Sequence, residues 1–188
     1  MKEMETRIIK IDVENIRSIA QKIGAKKVKM ENQINNIYDF EDRRLLAKKG
    51  YSRIRVVEDL IKEEKKVYMT VKKLLNSEKY KIMDEKETII QDADMGRAIF
   101  ESLGLKLCAS IKKYRESYKY KNTLIEIDIN DKSFCPFPYI EIESEYEREI
   151  EEVVKLLGYT MKDTTSKNIY DILEEEKNIK LNTGLKGL

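Results

Sequence analysis

Residues 105–130, LKLCASIKKYRESYKYKNTLIEIDIN, are typical of a long β-hairpin. Strand-forming stretches at Leu105–Tyr120 and Thr123–Asn130 flank a turn near Lys121 and Asn122. Within each stretch, charged side chains of one sign recur two residues apart. A strand repeats its side-chain direction every second residue, so each pair lies on one face. The segment therefore predicts two paired strands with a charged face.

The same spacing recurs along the chain in segments that otherwise resemble strands. The same-sign pairs are Glu3 and Glu5, Arg53 and Arg55, Glu85 and Glu87, Lys113 and Arg115, Glu126 and Asp128, and Glu141 and Glu143. Arg7 lies two residues after Glu5, and Lys72 lies two residues after Thr70. Basic pairs suit phosphate oxygens, and acidic pairs suit divalent cations. The pattern therefore favours a site for a polyanion held together with metal ions.

The residues between the charges are often apolar, as at Ile54, Val71, Ile127 and Ile142. One interpretation is an antiparallel sheet with one solvated face. A solvated face usually mixes signs, however, because like charges on one face repel each other. Because each pair carries charges of one sign, the pattern favours strands with an apolar outer face, covered by helices, and a charged inner face. We therefore predict a closed or nearly closed antiparallel β-barrel, whose charged interior needs a matching ligand or water.

Helical spacing and end signals complete an α+β prediction with helices packed outside the barrel. Helices are predicted from Asp12 to Gly24, from Asp92 or Asp94 to Leu103, from a Ser144 and Glu147 capping box to Gly158, and from about Ser166 to Lys177. Further strands are predicted at 3–11, 28–40, 51–57, 66–73, 80–90 and 139–143. The predicted organisation is a single domain over residues 1–175, followed by a tail over residues 176–188.

Composition excludes several kinds of chemistry. The chain of 188 residues contains no histidine, which removes Ser-His and Cys-His nucleophiles, imidazole bases and His-ligated zinc. It has only 7 glycines and no glycine-rich phosphate loop, so any phosphate must be bound mainly by Arg and Lys side chains. The 37 basic and 35 acidic residues leave a net charge of +2, which argues against nucleic acid as a partner.

The sequence predicts neither a membrane span nor a signal peptide, because it lacks an apolar run of the required length. Its two cysteines, Cys108 and Cys135, lie far apart. A reduced cytoplasmic protein is the simplest account, with a single disulfide as the alternative.

An ordered series of motifs resembles the CYTH superfamily, also called triphosphate tunnel metalloenzymes. The series consists of Glu3-Met4-Glu5-Thr6-Arg7 (family E-x-E-x-K), residues 33–39 (QINNIYD), Ser52-Arg53-Ile54-Arg55, Thr70-Val71-Lys72, Glu85-Lys86-Glu87, residues 111–115 (IKKYR), Asp128, Glu141-Ile142-Glu143, and residues 167–173 with Tyr170. The order and spacing agree over about residues 1–173. A lone E-x-E-x-K would be weak evidence, whereas the ordered series is specific.

The resemblance implies an antiparallel β-tunnel that binds a triphosphate with Mg²⁺ or Mn²⁺. The implied phosphate ligands are Arg7, Arg53, Arg55, Lys72, Lys113 and Arg115, with Arg7 and Lys72 in catalytic roles. The implied metal ligands are Glu3, Glu5, Asp128, Glu141 and Glu143, with Glu85, Glu87, Glu126 and Tyr170 as further site candidates. Carboxylates without His or Cys suit these two hard cations.

The resemblance leaves the reaction open between two enzymes, a class IV adenylyl cyclase, which releases pyrophosphate, and a triphosphate hydrolase. A non-catalytic binder of polyphosphate or nucleotide is the alternative, supported by Arg7 in place of the signature lysine. Arginine keeps the charge but cannot lose a proton near neutral pH. The segment Phe134-Cys135-Pro136-Phe137-Pro138 also departs from the family's late L-G-x-F pattern. The resemblance allows a homodimer.

Overall fold

The computed structural model describes the backbone of residues 2–177 and the side chains of residues 4–175. The strands are β1 (Lys2–Ile9), β2 (Lys26–Phe40), β3 (Tyr51–Asp59), β4 (Glu64–Asn76), β5 (Lys81–Ile90), β6 (Leu105–Tyr120), β7 (Thr123–Asn130) and β8 (Tyr139–Ser144). The helices are α1 (Val13–Lys22), α2 (Ala93–Ser102), α3 (Glu147–Leu156) and α4 (Ile169–Lys177). Of the predicted tail, residues 178–188 lie outside the described range.

The eight strands form a closed antiparallel barrel in the order β1-β5-β4-β3-β2-β6-β7-β8. Each strand pairs with its neighbours in antiparallel register; for example, Arg115 on β6 lies opposite Asp128 on β7. The predicted hairpin of β6 and β7 has its predicted bounds. The fold prediction, an α+β antiparallel barrel with helices outside, is therefore confirmed.

The apolar core lies outside the barrel wall, between the strands and the helices. On β7, Ile125 and Ile127 point outward and are fully buried beneath α1 and α3, whereas the alternating charged side chains face inward. A second, smaller cluster places Phe100 of α2 against Tyr38 and Ile54. On β7 the period-two pattern thus divides the strand between an apolar outer core and a charged lumen.

The structure corrects two details at the ends of helices. The predicted capping box at Ser144 is wrong, because α3 has Tyr146 as its N-cap without a capping side-chain bond. The Ser144 hydroxyl instead donates to the Glu149 carboxylate at 2.9 Å. The last helix begins at Ile169, not near Ser166, because the preceding segment makes a backbone bridge between Thr165 and Arg7 of β1.

None of the helices in the described part of the chain is long and apolar enough to cross a membrane.

A buried ionic cluster attaches α1 to the outer face of the barrel. Glu116 of β6 is only 2% exposed. It accepts hydrogen bonds from Arg17 of α1 at 2.6 Å, from the Tyr114 hydroxyl at 2.7 Å and from the Tyr118 hydroxyl at 2.9 Å, and it pairs with Lys27 at 3.1 Å. Burial alone would raise the pKa of Glu116, but these donors outweigh it and lower the pKa to about 2.

We expect Glu116→Gln to lower the free energy of unfolding at neutral pH by about 1.5 to 3 kcal/mol, the range for hydrogen bonds to charged groups. A lowered carboxyl pKa stabilises the fold above 4.5, and this contribution is lost as the pH falls toward 2. The variant should therefore show a flatter pH dependence of stability across that interval, measured by urea denaturation. Glu14→Gln is the matched control, because Glu14 also pairs with Arg17 but is exposed. Equal losses in the two variants would contradict this account.

Candidate functional site

The barrel interior is a polar cavity of about 630 Å³. Most of the predicted site residues line it, namely Glu5, Arg7, Arg53, Arg55, Lys72, Glu85, Glu87, Lys113, Arg115, Glu126, Glu141, Glu143 and Tyr170. Asp128 is fully buried behind the cavity surface. The side chain of Glu3 lies outside the described residues. Period-two spacing thus brings residues from seven strands into one chamber.

The cavity has an acidic wall and a basic wall. The neighbouring strands β5, β1, β8 and β7 supply the acidic side chains. The other four neighbours, β4, β3, β2 and β6, supply most of the cations. Some strands of one sign are consecutive in the chain, as β2, β3 and β4 are, whereas β6 joins the basic wall, and β1 and β5 join the acidic wall, only through the barrel order. Two cations, Arg7 and Lys81, lie on the acidic wall.

The basic wall has hydrogen-bond donors directed at no acceptor in the described part of the protein. The Nε atoms of Arg53 and Arg55 are buried without a partner there. The Nη2 of Arg53 reaches Glu85 and Glu87 only at 3.5 Å and 3.4 Å, which are long contacts. Burial and the neighbouring Arg53 lower the pKa of Arg55. Such crowded cations with unused donors suit an anionic ligand.

Arg115 is held rigidly at the junction of the two walls. Its Nε and Nη2 donate to the two oxygens of Asp128, each at 2.6 Å, and Nη2 also reaches Glu141 at 2.7 Å. Its Nη1 donates to Glu126. Asp128 also accepts from Lys113 at 2.8 Å. Asp128 is fully buried and both of its oxygens contact cations, so in this structure it orients Lys113 and Arg115, and its role as a metal ligand stays a prediction.

Burial and the proximity of Arg115 lower the pKa of Lys113. Lys72 differs, because the pKa of its ammonium is raised. Burial opposes that increase, but Tyr51 and Glu85 outweigh it, and the Lys72 ammonium lies 2.6 Å from Glu85. Lys72 therefore remains a cation near neutral pH. This charge suits it to bind a phosphate group and not to accept a proton.

The acidic wall centres on Glu5 and Glu141, which both contact Arg7. Burial would raise the pKa of Glu5, but Lys81 and Arg7 outweigh it and lower the pKa to about 2. Arg7 and Arg115 likewise hold the pKa of Glu141 well below its ordinary value, against the effect of burial. Glu143 lies opposite Glu5 in the register and also faces the cavity. The ionised carboxylate oxygens of Glu5 and Glu141 therefore lie on the same side of the cavity, where they could bind a divalent cation.

Two features of the site were missed by the sequence analysis. Lys81 contacts Glu5 at 2.8 Å, and its position four residues before Glu85 on β5 could have indicated an inward side chain. The other feature is residues 164–168, named here the strap. Its Lys167 carbonyl accepts from Arg7 at 2.6 Å, and its Ser166 hydroxyl donates to the Ser77 carbonyl at 2.8 Å. No spacing rule relates the strap to β1.

The strap and the start of α4 cover the barrel end at which β3 begins and β4 ends. Tyr170 lines the cavity there, with its ring 5.3 Å from that of Phe134 in an edge arrangement. Tyr51 also lines this end. Burial raises the pKa of Tyr170, so its hydroxyl stays protonated. This end of the chamber is therefore more aromatic than its charged centre.

The closed antiparallel barrel, with opposed acidic and basic inner walls, defines a protein of the β-tunnel class. The chain belongs to the CYTH domain family, whose model matches residues 1–169. The predicted family is therefore confirmed over most of the chain.

Solved structures share the fold at low identity. PH1012 from Pyrococcus horikoshii OT3 has a TM-score of 0.73 at 23% identity, covering 90% of this chain and 98% of its own. A Vibrio parahaemolyticus protein proposed to be an adenylate cyclase has a TM-score of 0.72 at 15% identity, covering 92% and 97%. HpAC1 from Hippeastrum, described with a dominant triphosphatase activity, has a TM-score of 0.66 at 15% identity, covering 97% and 99%. No curated protein matches.

We expect Arg55→Met to weaken tripolyphosphate binding about tenfold or more, because a charge-assisted hydrogen bond contributes about 1.5 to 3 kcal/mol. Isothermal titration calorimetry without metal measures the effect directly. Arg97→Met is the matched control, because Arg97 lies half exposed on α2, outside the barrel. Equal affinities for Arg55→Met and the control would remove Arg55 from the anion site.

Proposed function

We propose that this chain is a divalent-metal-dependent enzyme that acts on a triphosphate in the charged lumen, with hydrolysis as its main reaction. The observation that carries the proposal is the pair of opposed walls. One wall offers crowded cations with buried, unused N–H donors, and the other offers ionised carboxylates. A triphosphate with bound metal ions presents the complementary arrangement, negative oxygens on one side and cations on the other.

Each wall has a distinct role in this proposal. Arg53, Arg55, Lys113 and Arg115 bind the phosphate chain, with Lys72 at the edge of the basic wall. Glu5, Glu141 and Glu143 are the proposed metal ligands on the acidic wall, with Glu3, Glu85, Glu87 and Glu126 as further candidates. Asp128 orients Arg115, since it contacts that guanidinium through both of its oxygens.

The donor set fits Mg²⁺ or Mn²⁺, because it consists of ionised carboxylates without His or Cys. When bound, either ion would neutralise phosphate charge and help to activate the nucleophile. The chain's own residues supply position and charge. Glu5 and Glu141 are poor bases, because their pKa values are lowered, and Arg7 and Lys72 keep their protons. These side chains therefore orient the phosphates and stabilise developing charge.

Cyclisation of ATP is the second candidate, and the aromatic end of the chamber favours it. Tyr170, Phe134 and Tyr51 offer apolar ring surface beside the charged centre. A nucleobase there would leave its triphosphate between the two walls. The triphosphatase activity described for HpAC1, which shares this fold, is the reason that hydrolysis is placed first in the proposal.

Product analysis distinguishes these reactions from the non-catalytic alternative. The purified protein is incubated with Mg²⁺ or Mn²⁺ and, separately, with ATP, tripolyphosphate and thiamine triphosphate. Orthophosphate release indicates a hydrolase, whereas cyclic AMP with pyrophosphate indicates a cyclase. Tight tripolyphosphate binding without turnover of any substrate would support a binding protein and overturn the enzyme proposal.

We expect Glu5→Gln to reduce metal-dependent turnover by about a hundredfold or more, the scale seen when one group that stabilises transition-state charge is removed. The amide keeps the shape of the side chain but loses its charge, so the thermal unfolding temperature serves as the folding control. Glu101→Gln on the exposed face of α2 is the matched charge control. Unchanged turnover in Glu5→Gln would remove Glu5 from the metal ligands.

A further inference from the structure

Arg7 occupies the space between the two central carboxylates of the acidic wall. Its Nε and Nη2 contact one oxygen of Glu141 at 2.7 Å and 2.5 Å, and Nη2 contacts Glu5 at 2.6 Å. Its Nη1 donates to the Lys167 carbonyl of the strap at 2.6 Å. All three guanidinium nitrogens are therefore engaged, and the side chain is only 6% exposed.

Each carboxylate also has a second cation. Lys81 contacts the same oxygen of Glu5 as Arg7 does, at 2.8 Å, and Arg115 contacts the other oxygen of Glu141 at 2.7 Å. Three cations thus contact the two carboxylates, and one of them, Arg115, is shared with Asp128 and Glu126. A divalent ion that entered alone would compete with these partners and meet their repulsion in a partly desolvated chamber. Consistent with this arrangement, residues 4–175 contain no group of three or more acidic side chains placed to hold a metal ion.

An anion bound to the basic wall would change how these cations and carboxylates pair. The unpartnered Nε atoms of Arg53 and Arg55 mark where its first oxygens would bind. Arg115 lies at the junction of the walls, so a phosphate group near it would compete with Glu141 for the same guanidinium. The added negative charge would also attract Arg7. Carboxylate oxygens that now contact cations would then become available.

We propose that Arg7 is a built-in counter-ion for Glu5 and Glu141, so that this chain binds divalent metal together with an oxyanion and only weakly before it. The inference rests on the proposed function, because it uses the same two walls. It concerns the order and linkage of binding, however, and not turnover. Linkage is reciprocal: an anion that raises the metal affinity has its own affinity raised by the same factor.

Mn²⁺ binding followed by electron paramagnetic resonance tests the proposal without any turnover. The free-ion signal is titrated with wild-type protein, Arg7→Met and Arg7→Lys, in chloride alone. We expect Arg7→Met to bind Mn²⁺ at least about tenfold more tightly than wild type, within the usual range of coupling between sites. Arg7→Lys keeps the charge and should stay close to wild type. Arg17→Met, which removes an arginine paired with Glu116 outside the barrel, should have no effect.

Sulfate provides the second arm, because it is an oxyanion that binds Mn²⁺ only weakly in solution. At constant ionic strength, sulfate should tighten Mn²⁺ binding to the wild-type protein severalfold and should have a smaller effect on Arg7→Met. This arm needs only the wild-type chain if Arg7→Met does not fold.

Tight Mn²⁺ binding by the wild-type protein in chloride, with no gain from sulfate, would overturn the proposal. Equal affinity of folded Arg7→Met and wild type would overturn it as well. Failure of the proposed enzyme function gives a different result, namely no products from any triphosphate while the Mn²⁺ linkage persists.

Discussion

The guanidinium of Arg115 illustrates how charges enclosed in a closed barrel are balanced by their neighbours. It contacts Asp128, Glu126 and Glu141, and it thereby joins β6, β7 and β8 through side chains as well as backbone. Ion pairs of this kind repay their desolvation cost only when the geometry satisfies every partner. If every charge and every hydrogen-bond donor inside the barrel were already paired, a charged ligand would gain no new favourable contacts there. On the basic wall Arg53 and Arg55 pair with Glu85 and Glu87 through Nη2, but their Nε donors have no acceptor among the described residues.

The sequence predicts the barrel well because two periodicities reinforce each other. Charges at every second residue identify the inner face of each strand, and the intervening isoleucines, such as Ile125 and Ile127, identify the outer face that the helices cover. Helix ends are less predictable, because several polar residues compete for the same backbone groups. Ser144 bonds to Glu149 instead of forming the expected capping box with Glu147.

The site could be predicted only as a set of residues and not as an arrangement. Spacing indicates that Glu5, Glu85 and Glu141 face inward, but their neighbours depend on the order in which the strands close the barrel. The two walls are a consequence of that closure. The contact between Arg7 and the Lys167 carbonyl joins residues 160 positions apart through a segment without regular structure, so no local pattern indicates it. Asp128 illustrates the same limit, because the register places it behind Arg115 and away from the cavity surface.

In the proposed complex, a metal-bound triphosphate lies between the two walls. A crystal structure of the protein with tripolyphosphate and Mn²⁺, with the metal located by its anomalous scattering, tests it most directly. We expect phosphate oxygens on Arg53 and Arg55, and a manganese peak beside Glu5 and Glu141 with Arg7 displaced from at least one of them. An anion bound outside the barrel, with the ion pairs of the lumen unchanged, would contradict it.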